Sequence, residues 1–89
     1  MKHPRLSKGV TRKALAGDEE VLMSPDGAKA LIVNATGAVV VELCDGTRSP
    51  EDIAAFIAEH TPSAPIGTVQ PDVERIIGEL EAAGLLEPG

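Results

Sequence analysis

Phe56 is the only aromatic residue in this chain, which has no Tyr and no Trp. Any core must therefore be packed from Val, Ile, Leu and Ala, side chains that each remove little area from water. The 89 residues leave room for one such core. Hydrophobic residues make up 43% of the chain, enough for a folded domain. A single small aliphatic core implies modest stability.

Turn residues cut the first third of the sequence into short apolar runs. Residues 10–15 read as a first strand, and Ala16-Gly17-Asp18-Glu19 as a turn in which Gly17 is free to take positive φ. A second strand spans residues 20–24, with Val21 and Met23 on one face. Pro25-Asp26-Gly27 is a stronger turn signal, and residues 28–33 form a third strand of mostly aliphatic residues. These predict a three-stranded antiparallel meander.

Helical signals follow. Asn34 suits an N-cap, and residues 35–44 form a first helix with Val40, Leu43 and Cys44 as its apolar stripe. Gly37 and the run Val39-Val40-Val41 oppose that helix, and Gly46 ends it. Ser49-Pro50-Glu51-Asp52 is a clear second start: a capping hydroxyl, a proline at the first position and two acids at the positive end of the dipole. Ile53, Phe56 and Ile57 give this helix one apolar face, and His60 with Thr61-Pro62 ends it. A loop is expected over residues 61–67, and a last helix starting between Thr68 and Pro71. Its residues Val73, Ile76, Ile77 and Leu80 carry the strongest helical period in the chain. Gly84 stops it, and Leu85 and Leu86 fold back. The expected class is α+β in the order β-β-β-α-α-α, with residues 1–9 as a basic flexible tail and 10–87 as one domain.

Charge is divided unevenly. Lys2, Arg5, Lys8, Arg12 and Lys13 precede every acid. From Ala14 onward only Lys29, Arg48 and Arg75 face all 14 acids. So acidic a body repels phosphate backbones and disfavours nucleic acid. No run approaches the roughly 20 apolar residues of a membrane span, and the basic start is not followed by the apolar run of a signal peptide. A soluble cytoplasmic protein is expected.

Site chemistry is sparse. His3 and His60 have no second ligand at metal spacing, and no glycine-rich phosphate loop occurs. Cys44, among Val40, Val41 and Leu43, reads as a buried core thiol. The acid pairs Glu19-Glu20 and Glu51-Asp52 fit a solvated turn and a helix start. No catalytic residue, metal or cofactor is expected. What remains is recognition by main chain and shape. The strand at residues 28–33 can lie at a sheet edge and accept an extended peptide as a further strand. The last helix, with its apolar stripe, is the candidate opposite wall.

Leu31-Ile32-Val33-Asn34-Ala35-Thr36-Gly37, leading into Val41-Glu42-Leu43-Cys44-Asp45-Gly46-Thr47-Arg48-Ser49, resembles the PqqD family, as does the ending Asp72-Val73 … Leu80 … Gly84-Leu85-Leu86. The resemblance runs from about Val10 to Leu86. It implies a winged helix-turn-helix-like fold and a peptide chaperone of the kind called a RiPP recognition element. Such a domain holds the leader of a precursor peptide between its third strand and third helix. It also docks a modifying enzyme, a radical SAM enzyme in pyrroloquinoline quinone biosynthesis. Carried onto this chain, the peptide-binding residues are Lys29, Ala30, Leu31, Ile32 and Val33 on the strand. On the helix they are Asp72, Val73, Arg75, Ile76 and Leu80. Lys29 and Arg75 are the cations nearest an acidic leader. Two other readings share the same fold signals. One is a winged-helix DNA-binding regulator, although its candidate recognition helices hold only Arg75 as a cation. The other is a homodimerisation module whose aliphatic edge strand pairs with a copy of itself.

Overall fold

The computed structural model describes residues 3–61 and 66–87. Six elements follow one another: β1 (Thr11–Ala14), β2 (Glu20–Met23), β3 (Ala30–Val33), α1 (Ala35–Leu43), α2 (Pro50–His60) and α3 (Ile66–Ala82). The strands form one antiparallel sheet in the order β1-β2-β3, so the expected α+β class and element order hold. Both connections are turns closed by local hydrogen bonds. In the first, the Leu15 N–H donates to the Glu19 carbonyl (2.8 Å), with Gly17 at φ 72°. In the second, the Asp26 carboxylate accepts from the Ser24 hydroxyl (2.6 Å) and the Ala28 N–H (3.0 Å). These two bonds, the hydroxyl first, hold the Asp26 carboxyl below its ordinary pKa.

One face of the sheet meets the helices. Arg12, Leu22 and Leu31 are in register across it, as are Glu20 and Val33. Leu22 is fully buried and Val33 is 5% exposed, whereas Met23 and Ile32 lie on the open face. Arg12, on the helix side, clamps three elements together. Its guanidinium donates to both Glu20 carboxylate oxygens (2.9 and 3.1 Å) and to Glu42 on α1 (2.6 Å). Those bonds, Glu20's first, raise the Arg12 pKa. The helices pack chiefly α2 on α3, with α1 against both. Val40, Ile53, Ala54, Val73, Leu80 and Leu85 are fully buried at the centre, an all-aliphatic core.

α2 forms as its sequence dictates. The Ser49 hydroxyl accepts from the Asp52 N–H (3.1 Å), and the Asp52 carboxylate accepts from the Ser49 N–H (3.2 Å), a capping box. α1 forms despite Gly37, and the packing explains why. Asn34 Oδ1 accepts from the Gly37 N–H (2.9 Å), capping the helix. A β-carbon on Gly37 would lie 2.7 Å from Val33 Cβ, closer than two carbons can approach. The glycine that weakens the helix is what lets the helix seat against the end of β3.

Two expectations need correction. α3 starts at Ile66 and carries Pro71 in its interior, although proline rules favoured a start between Thr68 and Pro71. Val69, at 4% exposure, extends the buried stripe of Val73, Ile76 and Leu80 by a further turn. That burial offsets part of the cost of Pro71, which cannot donate a main-chain bond and crowds the preceding turn. Of the expected loop, residues 62–65 lie outside the described residues.

The lead-in is not a free tail between residues 4 and 7. Pro4 is fully buried, and Arg5 and Leu6 form antiparallel bridges with Asp45 and Leu86. The Leu6 N–H donates to the Cys44 carbonyl (3.0 Å) and the Ser7 N–H to the Leu85 carbonyl (2.8 Å). In return the Gly46 N–H reaches Pro4 and the Glu87 N–H reaches Arg5. Most of these ties are main chain to main chain, and side chains add to them: Pro4 is buried, Leu6 packs on the core and Arg5 lies 3.8 Å from the Glu87 carboxylate.

The Gly37 contact gives a sharp expectation. Alanine is better than glycine in a helix by about 1 kcal/mol, but overpacking costs roughly 1–3 kcal/mol. Gly37→Ala should therefore destabilise the fold, by up to about 2 kcal/mol, in urea denaturation. A raised midpoint would mean that the β3 end yields without cost.

Candidate functional site

Among the described residues β3 pairs with β2 alone, and its other side is open. Which main-chain groups are free follows from the register. The Ser24 N–H donates to the Lys29 carbonyl (2.9 Å), and the Lys29 N–H donates to the Ser24 hydroxyl (3.0 Å). Lys29 thus directs its main chain toward β2. Alternation makes Leu31 and Val33, opposite Leu22 and Glu20, do the same. Ala30 and Ile32 then direct their N–H and C=O groups away from the sheet.

The side chains alternate as well. Leu31 is half-buried and Val33 buried toward the helices, while Ala30 is exposed and Ile32 is 61% exposed on the open face. An added strand would meet two donors and two acceptors and find apolar side chains on both faces of the edge.

α3 forms the opposite wall and runs against the direction of β3. At one end the Lys29 ammonium donates to the Ala82 carbonyl in the last turn of α3 (3.3 Å). A cavity of about 160 Å³ lies there, lined by Ser24, Asp26, Ala28, Lys29, Ala83 and Gly84. At the other end a cavity of about 80 Å³ is lined by Ile32, Val33, Asn34, Gly37, Arg75, Ile76 and Glu79. There Arg75 pairs with Glu79 (3.1 Å), which partly satisfies the cation at the lip. Each end carries one cation, Lys29 or Arg75, and one acid, Asp26 or Glu79.

The structure brings most of the candidate residues together. Lys29, Ile32, Val33, Arg75 and Ile76 line the two cavities, and Ala30 and Leu31 complete the strand between them. Val73 and Leu80 are fully buried and serve as core beneath the cleft, out of reach of a ligand. Asp72 is exposed but lines neither cavity. Periodicity marked the whole apolar stripe of the last helix, and a stripe at that spacing is mostly core.

Sequence reasoning missed Glu79, Ala83 and the groove roles of Asn34, Gly37 and Gly84. Glu79 carried a signal, since it stands four residues after Arg75. Asn34 and Gly84 had been explained fully by capping, and nothing local shows that a cap also borders a cleft.

Among the described residues no three His, Cys, Asp or Glu side chains gather as a metal-ligand set, and no helix is long and apolar enough to cross a membrane. Cys44 is 3% exposed, and burial first, then the neighbouring Asp45, pushes its thiol up to about 11. A neutral, enclosed thiol is a poor nucleophile.

An edge strand set against a helix, on a three-stranded sheet followed by three helices, defines a class of small domain with a strand-sized cleft. The family model described as Coenzyme PQQ synthesis protein D (PqqD) matches residues 19–86, and the chain belongs to that family. Among solved structures it is similar to TbiB1 in complex with the TbiA(beta) leader peptide: 25% identity, 96% of each chain covered, TM-score 0.76. It also shares its fold with lasso peptide synthetase B1 complexed with a leader peptide: 20% identity, 97% of this chain and 99% of that one, TM-score 0.75. A third match is the PqqD truncation of Methylobacterium extorquens PqqCD, a RiPP recognition element: 23% identity, 96% and 88% coverage, TM-score 0.74. No curated protein matches.

The Cys44 environment predicts its reactivity. At pH 8 an aromatic disulfide reagent should leave the native thiol unmodified and label it promptly in denaturant. The raised folded pKa means that the group's contribution to stability is complete below the ordinary thiol range of about 8.5. That contribution should be lost as pH rises toward 11. Rapid native labelling would contradict the burial.

Proposed function

We propose that this chain is a leader-peptide chaperone. It binds the leader of a ribosomally made precursor peptide as a fourth strand on β3, in the cleft against α3. It then presents the peptide to a separate modifying enzyme. The observation that carries this reading is the edge itself: Ala30 and Ile32 offer outward main-chain groups between two end cavities, on an apolar strand whose outer edge no other described strand pairs with. The family and the leader-bound relatives of the same fold support it.

In this reading the domain is non-catalytic and works in the cytoplasm, where precursors are made. Its enzyme partner is of the radical SAM type, as in pyrroloquinoline quinone biosynthesis. The DNA-binding alternative finds less support. The described parts of α2 and α3 hold one Lys or Arg, Arg75, and Glu79 pairs with it. No basic helix face is left to follow a phosphate backbone.

Amide NMR signals of residues 30–33 should shift on titration with the leader of the precursor that this chain serves. A proline scan adds a test specific to main-chain pairing. The Ile32 N–H points away from β2, so Ile32→Pro keeps the β2–β3 ladder. It should change stability by less than about 1 kcal/mol and weaken leader binding at least about tenfold, or ~1.4 kcal/mol. Leu31→Pro breaks the ladder and should unfold the sheet. Full leader affinity in a folded Ile32→Pro variant would overturn strand addition.

A further inference from the structure

Phe56, the only aromatic side chain in the molecule, is not in the core. It stands on α2 at 36% exposure, facing Val39 of α1, which is 41% exposed. Between them lies a groove of about 380 Å³ whose walls are Ala35, Thr36, Val39, Phe56, Ile57 and His60. The aromatic ring is held in place. His60 stacks on it with centroids 4.2 Å apart, and the His60 ring nitrogen Nδ1 sits 2.9 Å from the Phe56 carbonyl oxygen. The Arg48 guanidinium approaches to 5.8 Å from the ring centroid. A fixed, partly exposed aromatic beside an aliphatic hollow has the makings of an anchor site for a protein partner.

The groove has a direction. Ala35 and Val39 also line a second depression of about 380 Å³ that reaches the β1–β2 turn at Asp18, Glu19 and Glu20. Glu20 is engaged by Arg12, while Asp18 and Glu19 make no ion pair among the described residues. One end of the combined surface is therefore apolar and aromatic, and the other is acidic. The combined surface shares no lining residue with the cavities along β3 and α3.

We propose that the α1–α2 groove is a second docking surface, which takes a short helix of a partner protein. Apolar side chains of that helix enter between Val39 and Phe56, and lysines or arginines at one end lie over Asp18 and Glu19. This goes beyond leader binding, because it gives the domain a means of holding a second protein while the β3 edge is occupied. The acidic end disfavours an anionic membrane or a nucleic acid as the occupant.

The test is selection of a displayed library of random 16-residue peptides on the full chain, with binders mapped by amide NMR. Peptides that shift Val39, Phe56 and His60 should carry apolar residues at helical spacing and Lys or Arg at one end. Their affinity should fall at least tenfold in Val39→Asp and Phe56→Ala, and several-fold in Asp18→Lys/Glu19→Lys. Ile32→Pro should leave it unchanged. Val39 is exposed, so Val39→Asp decides the matter if Phe56→Ala does not fold. The proposal is overturned if no selected peptide perturbs these residues, if those that do are uncharged or acidic, or if Val39→Asp binds as the wild type does. The same is true if Ile32→Pro abolishes their binding, which would place them on the β3 edge. Leader binding is judged separately, by residues 30–33, and survives any of these outcomes.

Discussion

The approach of α1 to the end of β3 holds the working part of this molecule in place. Asn34 ends the strand and caps the helix in one residue, and Gly37 brings the first turn of α1 against Val33. Without a β-carbon at Gly37 the helix axis sits close to the strand, so the first turn of α1 covers the inward face of β3 at Val33. Farther along the strand Leu31 is only half-buried, and Ala30 and Ile32 are exposed. The cleft to α3 is the space this junction leaves open. Gly37 and Asn34 line it as well as support it.

A three-stranded open sheet has two edges, and they are built differently. β1 reads Thr-Arg-Lys-Ala, with all four residues exposed, and Arg12 is tied to Glu20 and Glu42. A charged edge with a side chain committed to neighbouring carboxylates is a poor template for another strand. β3 reads Ala-Leu-Ile-Val, with its charge confined to Lys29 at the approach. Chain termini are often loose, yet residues 4–7 here cover the junction of α1 with the C-terminal segment. The β1 edge is thus guarded by charge, while the β3 edge is apolar and unpaired among the described residues.

Local chemistry made much of this legible. Pro25-Asp26-Gly27, the capping box at Ser49 and the glycine after α1 each announce an element boundary. The α2 start falls as read, while β2 and α1 end one residue early, β3 starts two residues late, and Cys44 rather than Gly46 caps α1. The third strand is legible as a candidate edge because it is the outer strand of a three-stranded meander that runs straight on into helices. The failures have a common cause: a tertiary term outweighed the local one. Gly37 looked like a cost to α1 until its partner Val33 was in view. Pro71 looked like a helix start until Val69 was seen to be buried. Residues 4–7 looked like a tail because main-chain bridges leave no mark in side-chain pattern. In the site, Val73 and Leu80 were over-read for the same reason: helical spacing identifies a buried stripe without saying which of its members reach the surface.

The size of the edge limits what main-chain pairing can achieve. Ala30 and Ile32 expose four groups, and a protein hydrogen bond contributes about 1 kcal/mol net. Their sum is near the −4.1 kcal/mol of a millimolar complex, before the cost of ordering a flexible peptide is taken into account. Strand addition alone therefore sets the position and direction of a ligand without holding it. Useful affinity has to come from side chains placed in the two end cavities, one beside Lys29 and Gly84, the other beside Ile76 and Gly37. These cavities are small and each is bordered by a charged pair of residues, so in the proposed complex they would discriminate by shape and charge more than by apolar area. For a domain with no aromatic lining either end cavity, the proposed strand addition would draw its selectivity from the spacing between the two cavities, fixed by a β3 strand of four residues.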